Sequence, residues 1–307
     1  FDRDAAAQLA SLLLLAVALL LAAERRAQAR LRFAAGRAAH SAEARAIPLR
    51  GRAAWAACGL CAMPVALGFV LPVAWLLRML WVEAATSEFG LPLQRFVQWS
   101  LSSLRLAALA AAIATVLALG LSLALRRRPV RGALPLLARV VSLGYAMPGA
   151  VVAVGILLPL AWLQQRWPDL GLGVWFTGTV FGLMYAYLVR FSAVALQSVE
   201  AGLARVPHSI DDSARLLGAR PWRVFVQLHV PLLRRAALAA ALLVFVDVMK
   251  ELPATLVLRP FGSDTLAVVA YNLARDERLG EAALPSLAIV AVGLLPVLLL
   301  SRALRQR

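Results

Sequence analysis

Apolar positions along this chain neither alternate nor spread as a soluble core requires. They gather in seven blocks of about 20 residues, the length that spans a bilayer as a helix. The blocks run from Ala5 to Ala23, Ala53 to Leu77, Leu101 to Leu125, Val140 to Leu163, Leu170 to Val189, Ala236 to Leu258 and Ala282 to Ser301. Each can satisfy its own backbone in lipid. The pattern therefore predicts an all-α integral membrane protein of about seven transmembrane helices.

Between the blocks, 190 to 235 reads as a folded segment. In "VPHSIDDSARLLG", Pro207 lies near a helix start, Ser209 and Asp211 fall in the first turns, and Gly218 is a C′ stop. Ile210, Ala214 and Leu217 share one helical face. "RPWRVFVQLHVP" restarts a helix at Pro221, presents Val224, Phe225 and Leu228 as an apolar face, and stops at Pro231. Two short amphipathic helices joined at a glycine are expected, lying against the bundle or a partner. In the loop 259 to 281, spacing predicts a further short helix with Asp264 as its N-cap and Leu266, Val269, Ala270 and Leu273 on one face.

Composition agrees: 62% of the 307 residues are hydrophobic, against about half in soluble domains. The net charge of +16 raises nucleic acid as a partner, but its distribution decides otherwise. One set of alternating segments (24 to 52, 126 to 139, 190 to 235 and 302 to 307) holds 23 arginines; the other set holds 7. Acids run 5 against 9. This is the positive-inside pattern. It predicts an N-out, C-in topology with 190 to 235 in the cytoplasm, and a nucleic-acid patch would not alternate in register with spans.

The chain opens "FDRDAAAQLA" without Met and enters its first block from outside. The expectation is a C-terminal part of a longer protein, in which 1–23 is the last span of a missing half and 24–52 a basic cytoplasmic connector. The alternative is an N-out seven-span protein with its first residue removed. Cys58 and Cys61 are spaced as CxxC inside an apolar block. With no histidine near, they read as packing residues and not as part of a four-ligand zinc site.

The block 236 to 258 carries Asp247, Lys250 and Glu251, placed at i, i+3 and i+4 on one face, followed by Pro253, which should kink the helix. Charge in lipid costs roughly 2.5 kcal/mol or more per group, so these groups must face the interior. Two readings stand: an ion pair of Lys250 with Asp247 or Glu251 that locks packing, or a solute path or its gate. Arg105 can snorkel to an interface. "GYAMPGAVVAVG", residues 144 to 155, offers small residues for close helix approach. A membrane-embedded enzyme is disfavoured. His40, His208 and His229 all fall in predicted cytoplasmic loops, and neither HExxH nor GxSxG occurs.

The segment 211 to 233 resembles the cytoplasmic loop of permease subunits of binding-protein-dependent ABC importers (the type I, MetI-like family). That loop reads E-A-A, three residues, G, nine residues, then I-x-L-P. Here Asp212, Ser213 and Ala214 stand at E-A-A, Gly218 at the glycine, and Leu228, His229, Val230 and Pro231 at the end. Asp replaces Glu, Ser replaces the first Ala, and Leu and Val replace Ile and Leu. "KELPATLVLRPFGSDTLAVVAYNLARDERLGEAALPSLAIV", residues 250 to 290, is similar to the ferric-iron permeases of this superfamily, long chains of two fused permease halves.

The resemblance implies a permease half at 53–303, with a core at about 97–301 and an EAA coupling loop at 197–232. Six helices would form the bundle, in the bacterial inner membrane. Asp212, Ser213, Ala214, Gly218, Leu228 and Pro231 would couple it to a dimer of ATP-hydrolysing subunits. ATP binds on that partner, since no GxxxxGK[ST] loop occurs in this sequence. A periplasmic solute-binding protein and a second permease half are the other implied partners, and ferric iron the implied solute. Asp247, Lys250, Glu251 and Pro253 are candidates for the path or gate, with no firm metal ligand set. Phosphate, sulfate, molybdate, thiamine and polyamines are the alternative solutes.

Overall fold

The computed structural model describes residues 49–87, 90–127 and 132–305, with isolated helical positions between Gln8 and Arg26. The expected first span and basic connector lie outside the described residues. All regular structure among the described residues is helical, and five helices are long and apolar enough to cross a membrane. The chain divides into two compact units, residues 1–78 and 79–307.

The described part of the first unit begins with α1 (Arg52–Val65), which passes through a π-turn (Ala66–Val70) into α2 (Leu71–Thr86). The turn has a physical cause in Pro72. A proline donates no N–H and crowds the preceding turn, and a widened turn relieves the clash. The Leu71 N–H reaches back five residues to the Ala66 carbonyl, just before that proline.

In the second unit, α3 (Leu93–Arg127), α7 (Val180–Leu203) and α10 (Val230–Met249) pack on one another as a central trio. Small side chains let them approach. Ala107, Ala110, Ala114 and Ala118 form a buried stripe on α3, against Ala186, Tyr187, Leu196 and Val199 of α7 and Ala240, Val244 and Val248 of α10. Without a hydrophobic drive between helices in lipid, such close contact carries the association. Around the trio lie α4 (Ala133–Leu143), α5 (Gly149–Arg166), the one-and-a-half-turn α6 (Leu172–Thr177), α8 (His208–Leu216), α9 (Pro221–Val224), α11 (Pro253–Leu258), α12 (Leu266–Arg275) and α13 (Leu279–Arg305).

Several expected boundaries move. The block 140 to 163 is two helices, α4 and α5, separated by a 3-10 turn and an extended Met147–Pro148 step. The block 170 to 189 breaks at Gly178, and α7 then continues to Leu203, well into the expected loop. Thr179 caps it, its hydroxyl accepting the Phe181 N–H. Pro231 does not stop a helix. A second π-turn (Phe225–His229) precedes it and α10 continues, as at Pro72. Nor does Pro253 kink one: α10 ends at Met249 and Pro253 opens α11, where its fixed φ suits a first turn. The N-cap of α12 is Thr265, whose hydroxyl accepts the Val268 N–H. The expected cap, Asp264, pairs instead with Arg259.

Candidate functional site

Two clusters of polar side chains stand out, one on α8 and its flanks, the other at the break between α10 and α11.

The first is built on a short helix with a defined stop. α8 ends in a Schellman motif. The Gly218 N–H donates to the Arg215 carbonyl at 2.9 Å and the Ala219 N–H to the Ala214 carbonyl at 3.0 Å. Gly218 has φ +73°, the left-handed region that glycine enters without penalty. Asp212 and Ser213 are exposed, as are Leu216 and Leu217, while Ile210 and Ala214 are half-buried. The expected Ile210–Ala214–Leu217 face is thus incomplete: Leu217 lies just past the last helical residue and points outward, 86% exposed. Leu228 is half-buried in the π-turn and Pro231 exposed.

Asp211 is what roots α8 in the bundle. One carboxylate oxygen, Oδ2, accepts from Arg126 Nε at 2.5 Å, and Oδ1 lies 3.0 Å from His229 Nε2. Arg126, at the end of α3, also donates to the carbonyls of Leu203 (3.1 Å), Val206 (2.8 Å) and Pro207 (2.9 Å). The sequence marked Asp211 as a first-turn residue only, and marked neither Arg126 nor His229 as part of a site. Their pairing spans 85 residues and has no local signature.

At the second cluster, Asp247, Lys250 and Glu251 do not share one helical face, because α10 ends between them. Lys250 Nζ is 2.9 Å from Asp247 Oδ1, with the lysine exposed. Glu251 turns away to Arg190 on α7, forming an ion pair whose carboxylate is buried and whose guanidinium is half-buried. Its other oxygen, Oε1, accepts the Ala254 N–H at 3.2 Å. Thr255 donates its hydroxyl to the Glu251 carbonyl at 2.7 Å. That uses its one proton, so Tyr187 Oη, 2.7 Å away, is the donor between them. Gly149 lets this cluster close: a Cβ there would stand 2.2 Å from Glu251 Oε1 and 2.8 Å from Arg190 Nη1. Pro253 is exposed at the start of α11. Arg190, Tyr187 and Thr255 were not visible as site residues, and Arg190 read as the first residue of a loop. Among the described residues, no group of three or more His, Cys, Asp or Glu side chains is placed to hold a metal ion.

A helical bundle with this stopped polar helix defines a class. Residues 117–307 match the family model of the binding-protein-dependent transport system inner membrane component. The chain belongs to that family. Among curated proteins it is 29% identical over 161 residues to the putative 2-aminoethylphosphonate transport system permease protein PhnV of Salmonella typhimurium, covering 52% of this chain and 59% of that protein. It is 30% identical over 124 residues to the Fe(3+)-transport system permease protein FbpB 2 of Haemophilus influenzae, covering 40% of this chain and 24% of that one. The chain thus spans 59% of the length of the first of these relatives.

Two solved structures share the fold. One is a bacterial ABC transporter involved in the import of the acidic polysaccharide alginate (TM-score 0.60, 16% identity, 82% of this chain and 95% of that one). The other is a bacterial alginate ABC transporter in complex with an alginate pentasaccharide-bound periplasmic protein (TM-score 0.58, 15% identity, 80% and 91%).

Proposed function

We propose that this chain is a permease subunit of an ATP-driven importer, forming one half of a translocation path for a solute delivered by a periplasmic binding protein. The observation that carries the reading is α8: a short helix with a Schellman stop, rooted by a charge and presenting Asp212, Ser213, Leu216 and Leu217 outward. Exposed leucines beside polar groups suit a protein groove and not bulk water. An ATP-hydrolysing subunit is the partner, with ATP bound there, and a second permease half completes the path. Asp212, Ser213, Ala214, Gly218, Leu228 and Pro231 serve the coupling; Asp247, Lys250, Glu251 and Pro253 lie at the path or its gate. The similarity to the Haemophilus Fe(3+) permease supports ferric iron as the solute.

A second reading, an organophosphonate, has a specific observation behind it. Both Glu251 oxygens are engaged, whereas the buried Nε of Arg190 has no acceptor among the described residues and Lys250 is exposed. Each cation is paired, Lys250 with Asp247 and Arg190 with Glu251, but N–H donors beyond those pairs suit an anion better than a hard cation, which seeks oxygen ligands. The longer curated match is to a putative phosphonate permease. Uptake of labelled ferric iron and of labelled 2-aminoethylphosphonate into proteoliposomes, with the full protein and its partner subunits, tests both. ATP-dependent iron uptake without phosphonate uptake supports the first reading. The reverse supports the second, and uptake of neither contradicts both.

A further inference from the structure

The coupling helix α8 is joined to the bundle in an unusual way. Asp211 is its one fully buried residue among those whose side chains are described. Immediately downstream the attachment is different in kind: Val224 is buried, and Phe225 packs with Leu123, Leu203 and Leu233. Beside Asp211 the apolar packing is incomplete. A cavity of about 140 Å3 lies there, lined by Arg126, Asp211, Val224 and His229 among others.

Attachment by a charge differs mechanically from attachment by apolar contact. Methyl groups slide past one another at small cost, whereas charge-assisted hydrogen bonds are short and directional. Arg126 spends Nε, Nη1 and both Nη2 bonds on Asp211, on the carbonyl of Leu203 at the end of α7 and on the carbonyls of Val206 and Pro207 just before α8. Its side chain is 6% exposed and that of His229 3%. Arg126 is the penultimate residue of α3 and His229 is the N-cap of α10. Two helices of the central trio, α3 through Arg126 and α10 through His229, therefore face the same carboxylate. Displacing α8 as a rigid body must displace both.

We infer that Asp211 is the positioning residue of the transmission joint, through which α8 moves α3 and α10 together. This rests on the importer reading above. Asp211 touches neither solute nor nucleotide; it acts through Arg126 and His229.

The test uses the complete transporter reconstituted with its ATP-hydrolysing subunit and binding protein. Asp211→Asn keeps the shape and the outward face of α8 but removes the charge and one of the two acceptor oxygens, turning an NH2 donor toward either Arg126 or His229. Assembly and ATP hydrolysis should persist, while solute taken up per ATP hydrolysed falls about tenfold, as expected for loss of a charged hydrogen bond. Arg126→Lys keeps the charge but not the fork and should give an intermediate loss. Wild-type uptake per ATP in Asp211→Asn would overturn the joint.

A second measurement needs no change at Asp211. Spin labels at Ser213 and at the exposed Leu117 of α3 should keep one separation with and without ATP. A separation that changes with nucleotide overturns the joint even if the Asn variant fails to assemble. A wild-type complex that hydrolyses ATP yet imports neither solute would contradict the solute assignment, and the label distances would still decide the joint.

Discussion

Glu251 and Arg190 meet across 61 residues of chain, the carboxylate in the break between α10 and α11 and the guanidinium on α7. The break is held open by chemistry that a continuous helix would not need. One oxygen takes the ion pair, the other caps the Ala254 N–H, and the Glu251 carbonyl accepts from Thr255. A helix interruption inside a packed bundle leaves backbone groups that must be satisfied by protein, and Glu251 does much of that.

Removing one member of a buried pair leaves the other charge without compensation, at about 3–5 kcal/mol. Arg190 retains some exposure, so Glu251→Gln should cost about 3 kcal/mol, near the lower end. Thermal unfolding in detergent reads the loss. The double variant Glu251→Gln/Arg190→Gln should recover part of it, and uptake should fall in the single variant. A single variant as stable as wild type would remove the pair from what supports the break.

Two glycines should respond oppositely to alanine. A Cβ on Gly144 would stand 1.9 Å from the Val189 carbonyl oxygen, a backbone atom that cannot rotate away. Gly144→Ala should therefore destabilise by about 1–3 kcal/mol. Gly155, inside α5, has nothing within 4 Å of the same position. Gly155→Ala should be neutral or stabilising by up to about 1 kcal/mol. Melting temperatures of the two variants, compared side by side, check the contrast.

Which of these features the sequence announced depends on how local their causes are. Gly218 and Pro221 were legible because a left-handed stop and a first-turn proline are properties of single residues. The blocks 53 to 77, 101 to 125 and 282 to 301 were legible because each lies inside one helix, in Arg52–Thr86 (with its π-turn), α3 and α13. α7 was cut short because "RFSAVALQSVE" looks polar, yet its arginine is neutralised by a residue 61 positions away. The proline at 231 misled because its cost is absorbed by a π-turn upstream, a device with no compositional mark. Asp211, Arg126 and His229 lie on three separate segments, and only the fold brings them together.

Gly218 offers a prediction about coupling. A β-branched side chain at φ +73° costs roughly 1–2 kcal/mol and unsettles the Schellman turn. Gly218→Val should retain the protein in the membrane and ATP hydrolysis in the complex, but lower uptake per ATP. Gly218→Asn, which tolerates the left-handed region, should stay near wild type. Equal uptake in Gly218→Val and wild type would sink the role of the stop.

Thr265 is a cap that can be removed cleanly. Thr265→Val keeps the volume and loses the hydroxyl that accepts the Val268 N–H, at about 1 kcal/mol. Hydrogen exchange at the Val268 amide should speed up, with exchange in α3 unchanged. Unaltered exchange at Val268 would mean that another group satisfies the amide.

Crosslinking from α8 tests the central claim most directly. In the full protein with Cys58 and Cys61 replaced by serine, the thiol of Ser213→Cys is alkylated with a maleimide carrying a benzophenone and irradiated in membranes with the ATP-hydrolysing subunit, so that the excited ketone inserts into a C–H bond of whatever lies against it. The account predicts a covalent adduct with that subunit from Ser213→Cys, and none from Tyr271→Cys on α12. An adduct from position 271 with none from 213 would contradict it.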